Sequence, residues 1–219
     1  SRELLAALSR DDVSAEGWKF MDIRKTFVAG VPAFVARVSF SGELGYEIYV
    51  APPYQRRLAE AIDEAGEALG LRWYGARALM SMRLEKAWGV WTLDYRPDFT
   101  AAESGLDIFI QWDKEFIGKH AAELEKAHGP KKKLVTLVVN ATDMDVSNDE
   151  AVMVGDEAVG YVSSGGFAHH LGQSMAFAYV PAALAVAGMK VDVEINGARV
   201  AAEVQGGALY DPKGLRMRS

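Results

Sequence analysis

An α+β portion reaching to about Gly129, followed by a compact all-β domain, is the fold class predicted by this sequence of 219 residues. Three observations carry it. Helically spaced apolar residues occur only ahead of Gly129, the composition shifts at "GPKKKLVTLVV", and short strand-like segments with turn signals follow. Half of the residues are hydrophobic, enough for one large or two small domains with real cores. The division is placed after residue 127, giving portions 1–127 and 128–219.

The elements follow in order. "SRELLAALSRDDVSAEGW" opens with a short helix and a turn. "AFVARVSF" and "GELGYEIYV" read as two strands, or as one broken at Ser41-Gly42. "PPYQRRLAEAIDEAGEALG" places prolines at a helix start, Leu58, Ile62, Ala65 and Leu69 at helical spacing, and Gly70 as the stop. A second helix, "YGARALMSMRLEKAW", turns Leu79, Met82 and Met80 inward. "GLDIFIQW" has a strand pattern, and "HAAELEKAHG" is a short helix ending at Gly129. Lys131 to Lys133 read as a solvated linker. Beyond them come "LVTLVVN", "AVMVGDEAVGYVSS", "QSMAFAYVP" and "MKVDVEINGARVAAEV". "MVGDEAVGYV" is a hairpin, and "VEINGARV" is another with the Asn-Gly pair that a type I′ turn requires. Such a series implies a small β-barrel or sandwich.

Composition excludes several classes. A formal net charge of -6 argues against a general nucleic-acid or membrane-surface binder. No apolar run is long enough to span a bilayer, and the N-terminus lacks a signal-peptide pattern. Zero cysteines remove disulfides, thiolate metal sites and a cysteine nucleophile, and fit a cytoplasmic location. No metal site is expected. The adjacent His169-His170 diverge and lack a third ligand at a recognisable spacing. Asp143, Asp145, Asp149 and Glu150 lack the periodicity of a calcium loop. "SSGG" lacks the lysine and helix of a phosphate loop. Trp88, Trp91 and Trp112 read as core or subdomain-interface residues.

From Gly42 to Val50 a two-residue period puts Leu44, Tyr46, Ile48 and Val50 on one face and Glu43, Gly45, Glu47 and Tyr49 on the other. A solvent-facing strand accounts for the glutamates. Gly45 between them adds a second possibility, since a strand glycine admits close approach of a flat ligand or another backbone. A carboxylate beside such a gap can accept two parallel N–H bonds from an amidine-like edge, such as that of a pteridine or guanine.

The segment "FSGELGYEIYV" resembles the "YTGExGxEIxV" signature of the glycine-cleavage T-protein (aminomethyltransferase) family. Further blocks match in order: "GARALMSMRLEKAW", "TAAESGLDIFIQWDKEFIGKHAAE" and "GYVSSGGFAHHLGQSMAFAYVP". The ending "LYDPKGLRMR", with "GELGYE", "LEKAW" and "HHLGQS", is most similar to the flavin-linked dimethylglycine and sarcosine dehydrogenase branch. The resemblance covers the whole chain. It implies the C-terminal half of the T-protein folate-binding fold over residues 1–127 and the family's C-terminal β-barrel over 128–219. It also implies tetrahydrofolate-dependent transfer of an amine-derived one-carbon unit, with folate and an amine as small-molecule partners. FAD is implied only through an upstream flavin module. Glu47 takes the place of the glutamate that grips the pteridine edge, and Arg77 that of an arginine contacting folate. Phe40 replaces a pocket tyrosine, leaving stacking without a hydroxyl, and Tyr210 is placed to reach the cleft. As residues alone, Arg77 also fits a surface ion pair and Phe40 plain core. The family's catalytic aspartate lies ahead of the matched region, so the catalytic residue is unknown. Beginning at Ser1 without an initiator Met, the chain reads as the C-terminal part of a larger protein. It would hold one wall of the folate cleft, with weak binding and no turnover alone. Two alternatives remain: a T-protein-like aminomethyltransferase or S-methyl demethylase without a flavin module, and a non-catalytic folate-binding relative. The second of these carries a cysteine motif that this sequence lacks.

Overall fold

A computed structural model describes all residues, 1–219. The chain forms two compact units, residues 1–79 with 213–219, and residues 80–212. In the first, an antiparallel sheet runs in the order β1 (Ile23–Val28), β2 (Val31–Ala36), β3 (Glu47–Val50). Alternation fixes its two faces. Val28, Val31, Ala33 and Val35 are buried, and Ile48 and Val50 are half-buried beside them. Helices α1 (Arg2–Leu8) and α2 (Gln55–Gly66) contribute Leu5 and Leu58 to the same core, which closes around the fully buried Trp18. Gly70, with φ of 71°, ends the turn after α2 in the left-handed region that glycine tolerates best.

Helix α3 (Ala76–Glu85) leads into the second unit, where α4 (Lys119–His128) precedes the barrel. Its strands are β4 (Lys132–Val139), β5 (Ala151–Val154), β6 (Glu157–Ala168), β7 (Gln173–Pro181), β8 (Lys190–Ile195) and β9 (Ala198–Gln205). They close in the order β4-β7-β6-β5-β8-β9, which removes every free edge. Leu137, Val152, Val162, Ala178, Val193 and Val204 fill the interior. The Asn196-Gly197 turn has φ of 49° and 80°, the pair of positive angles that a type I′ hairpin needs. A short helix, α5 (Leu215–Arg218), ends the chain in the first unit.

A buried ion pair organises the second unit. Arg83 Nη1 donates to Asp94 Oδ2 at 2.9 Å, with side chains 1% and 0% exposed. Val90 N–H donates to the same oxygen at 2.8 Å, while Ser163 and Ser164 both donate to Asp94 Oδ1. Two consecutive strand residues normally face opposite ways. Here the β6–β7 register shifts between Val162 and Ser164, and this bulge turns both hydroxyls onto one carboxylate. Tyr179 Oη donates to the Asp94 carbonyl at 2.7 Å and hydrogen-bonds Ser104 at 2.8 Å.

The structure departs from the sequence expectations in five places. β1 is an additional strand, whose hairpin turns through Ala29 and Gly30 at positive φ. "GELGYEIYV" is strand only from Glu47, because Arg37 to Tyr46 leave the ladder. "GLDIFIQW" finds no pairing partner and forms only a short 3-10 turn, Asp107–Phe109. Lys132 and Lys133 begin β4 rather than a linker, although they are exposed. The buried side of α3 is Ser81, Arg83, Leu84 and Glu85, whereas Leu79, Met80 and Met82 are half-buried. Its core-facing side chains are polar because barrel-unit groups satisfy them: Ser81 donates to Phe167 O and Glu85 accepts from His170 N.

Replacing Asp94 by Ala leaves the buried Arg83 guanidinium without its counter-charge and Ser164 without its acceptor, with an expected cost of about 3–5 kcal/mol. The urea midpoint should fall accordingly at unchanged m-value; a loss below about 1 kcal/mol would mean that the site relaxes without the carboxylate. Burial pushes the Tyr179 phenol up to about 12, against about 10 in an unfolded chain. Stability from this group is therefore complete below pH about 10 and is lost as pH rises toward about 12. Tyr179→Phe should flatten that alkaline limb in denaturation measured against pH.

Candidate functional site

The outer face of the three-stranded sheet carries the candidate site. Its cross-strand rows are Ile23–Ala36–Glu47 and Lys25–Phe34–Tyr49, with Phe27 opposite Pro32. Ile23, Phe27, Phe34 and Tyr49 are between 51% and 63% exposed, so this face is apolar yet open. Glu47 is exposed at the start of β3. Tyr49, two residues on and therefore on the same face, donates its hydroxyl to Glu47 Oε2. The carboxylate acts back on the phenol: this hydrogen bond, reinforced by the negative charge, raises the Tyr49 pKa above its ordinary value.

Glu43 is differently placed. It lies in the irregular stretch before β3, and both its oxygens face Arg216 Nε, at 3.1 and 3.0 Å. Gly45 has a local reason to be glycine, since a Cβ there would stand 3.0 Å from the Val38 carbonyl oxygen. Another part of the backbone therefore makes the close approach anticipated in the sequence. Beneath this stretch Arg37 is buried, donating to Trp18 O, Arg218 O and Ser219 O. The returning C-terminal residues thus brace the loop that delivers β3.

Of the other candidates, Phe40 is half-buried in that loop, and Arg77 is exposed in the first turn of α3. Phe40, Glu47 and Arg77 fall in the first unit and Tyr210 in the second. Tyr210 is half-buried, its N–H donating to Glu85 O at 3.1 Å and its ring meeting His170 edge-on at 4.7 Å. None of the four lines the cavity of about 780 Å³ that lies between residues 100–112 and α4. Helix α4 buries none of its residues; Ile108, Phe109 and Ile117 nearby are exposed, as is Trp91, so of its two expected positions, core or subdomain interface, core does not hold. No three His, Asp or Glu side chains stand together so as to hold a metal ion. "SSGG" is barrel strand, its serines engaged by Asp94. The sequence reading put Tyr49 on the Glu47 face without giving it a role, although the two-residue spacing was its signal.

Residues 1–114 match the GCVT N-terminal domain, and residues 132–211 match the glycine cleavage T-protein C-terminal barrel domain. The chain belongs to the glycine cleavage T-protein family. Among its T-protein relatives, human mitochondrial dimethylglycine dehydrogenase is 35% identical over 90% of this chain and 23% of its own length. The 4-methylaminobutanoate oxidase (formaldehyde-forming) of Paenarthrobacter nicotinovorans is 34% identical over 100% of this chain and 27% of its own. An aminomethyltransferase of Picosynechococcus is 36% identical over 81% and 48%. The crystal structure of aminomethyltransferase T from Bartonella henselae superposes with a TM-score of 0.84 at 25% identity, covering 96% of this chain and 57% of that one. The chain thus spans about a quarter of the two oxidising relatives and about half of the aminomethyltransferase. No helix is long and apolar enough to cross a membrane. The family placement leaves the local reason for Gly45 intact, and it can be tested directly. Gly45→Ala should cost about 1–3 kcal/mol through overpacking against the Val38 carbonyl, read as a lowered thermal midpoint; an unchanged midpoint would show that the backbone yields freely.

Proposed function

We propose that this chain is the folate-binding portion of a tetrahydrofolate-dependent one-carbon transferase working in a flavin-linked N-demethylase. The observation that carries this is the position of Glu47. It is the second glutamate of the family signature, it lies on an open, aromatic-rich sheet face, and it is the one not paired with Arg216. Its carboxylate would accept paired N–H bonds from the pterin edge, with Phe40 and Arg77 of the same unit as further folate contacts. A carbon at the formaldehyde level, released from an N-methyl amine, would pass to tetrahydrofolate and leave as methylenetetrahydrofolate. In this reading FAD and the oxidation step belong to a module outside these residues.

Membership of the oxidising branch is favoured by the match to 4-methylaminobutanoate oxidase, which runs through the whole chain. A second reading, an aminomethyltransferase without a flavin module, is favoured by the 36% identity to the Picosynechococcus protein. Under either, a partner portion of the same fold would cover the open faces around Phe27 and Phe34 and around Ile108 and Ile117. The relatives' greater length supports this.

Glu47→Gln keeps the shape but removes the charge and converts one acceptor into a donor. In the full polypeptide encoded by the gene it should weaken binding of folinic acid, a stable reduced folate, by roughly ten- to a hundred-fold in calorimetric titration. Glu43→Gln should have a much smaller effect. Equal effects at both positions would indicate general electrostatics, and no effect at Glu47 would remove it from the site.

A further inference from the structure

The Tyr49–Glu47 contact has no evident structural task, because both side chains lie on the exposed face, away from the core that β3 helps to close. A lone glutamate at such a position samples many rotamers, and freezing it opposes ligand binding. Tyr49 limits that freedom. Its backbone is held opposite Phe34 in the β2–β3 ladder, which fixes where its side chain starts. From that anchored position the hydroxyl holds Oε2 of Glu47. A carboxylate offers about four lone-pair directions, so Oε1 and the free side of Oε2 remain available to a paired N–H edge.

We infer that Tyr49 is a positioning residue, which orients the Glu47 carboxylate for a planar heterocycle presenting two parallel N–H groups. This rests on the folate reading of Glu47, and the two can be separated by experiment. Tyr49→Phe removes only the hydroxyl and keeps the ring. Folinic acid is titrated calorimetrically into the full polypeptide as wild type, Tyr49→Phe, Glu47→Gln and the double variant. The expected result is a weakening of about three- to tenfold for Tyr49→Phe, with the double variant no weaker than Glu47→Gln alone. Additive losses, or none from Tyr49→Phe while Glu47→Gln still weakens binding, would overturn the positioning role and leave the folate reading standing. No loss from Glu47→Gln would overturn both.

A ligand-free readout checks the contact itself. The difference in tyrosinate absorbance between wild type and Tyr49→Phe follows one phenol as pH rises. That phenol should titrate above its ordinary range, as its bond to Glu47 requires, and return toward it in Glu47→Gln. A phenol that titrates identically with and without the Glu47 carboxylate would overturn the inference.

Discussion

The Arg83–Asp94 pair is the constraint on which the second unit depends. Neither side chain reaches water, and one carboxylate collects a guanidinium, a turn N–H and two strand hydroxyls. The end of α3, the turn at Val90 and strand β6 are thereby fixed to a common point. Burial pulls the Arg83 pKa below its ordinary value, while the charge and hydrogen bond of Asp94 oppose that shift. An ion pair with these partners specifies geometry more than it adds net stability, because desolvation offsets most of the Coulomb attraction. Apolar ridges would have left the α3 contact free to slide. Directed hydrogen bonds to one carboxylate leave the cluster few arrangements, although Arg83 Nε is buried without a partner.

The barrel was the most legible part of the fold. Its strands combine apolar runs with turn residues that have one main conformational use, as at Asn196-Gly197, and no distant information is needed to place them. Two segments read poorly for opposite physical reasons. Ile23–Val28 carries Arg24 and Lys25 and turns through an alanine at positive φ, so neither its pattern nor its turn announces a hairpin. "GLDIFIQW" alternates as a strand should, yet a strand exists only with a partner to receive its hydrogen bonds. Periodicity shows what a segment can do, and pairing decides what it does. The polar face of α3 was illegible in the same sense, since Ser81 and Glu85 find their partners about 85 residues away, at Phe167 and His170.

Within the candidate site, the signature pointed to two glutamates and the structure separates their surroundings. Glu43 and Glu47 look equivalent by spacing. The chain leaves the sheet ladder between β2 and β3, and Glu43 then turns to Arg216 from the C-terminal segment. That pair is substantially exposed, with side chains 59% and 42% accessible, so it contributes at most about 1 kcal/mol. It nevertheless engages both Glu43 oxygens. Glu47 has one neutral hydrogen bond, from Tyr49, and keeps acceptor capacity.

That capacity has little selectivity while the face stays wet. At an exposed position an N–H edge must displace water that binds the carboxylate almost as well, and the net gain is small. The same bonds discriminate strongly once water is excluded, because an unpaired donor or acceptor then carries its full desolvation cost. The open apolar residues around Glu47 bear on this directly. Ile23, Phe27, Phe34 and Tyr49 form the kind of surface that favours a covering element, and any element seated on it would also dry the carboxylate. Covering this sheet and sharpening the hydrogen bonding of its carboxylate would thus be one physical event. A hydroxyl that fixes Glu47 beforehand would matter most then, when the carboxylate could no longer reorient through solvent.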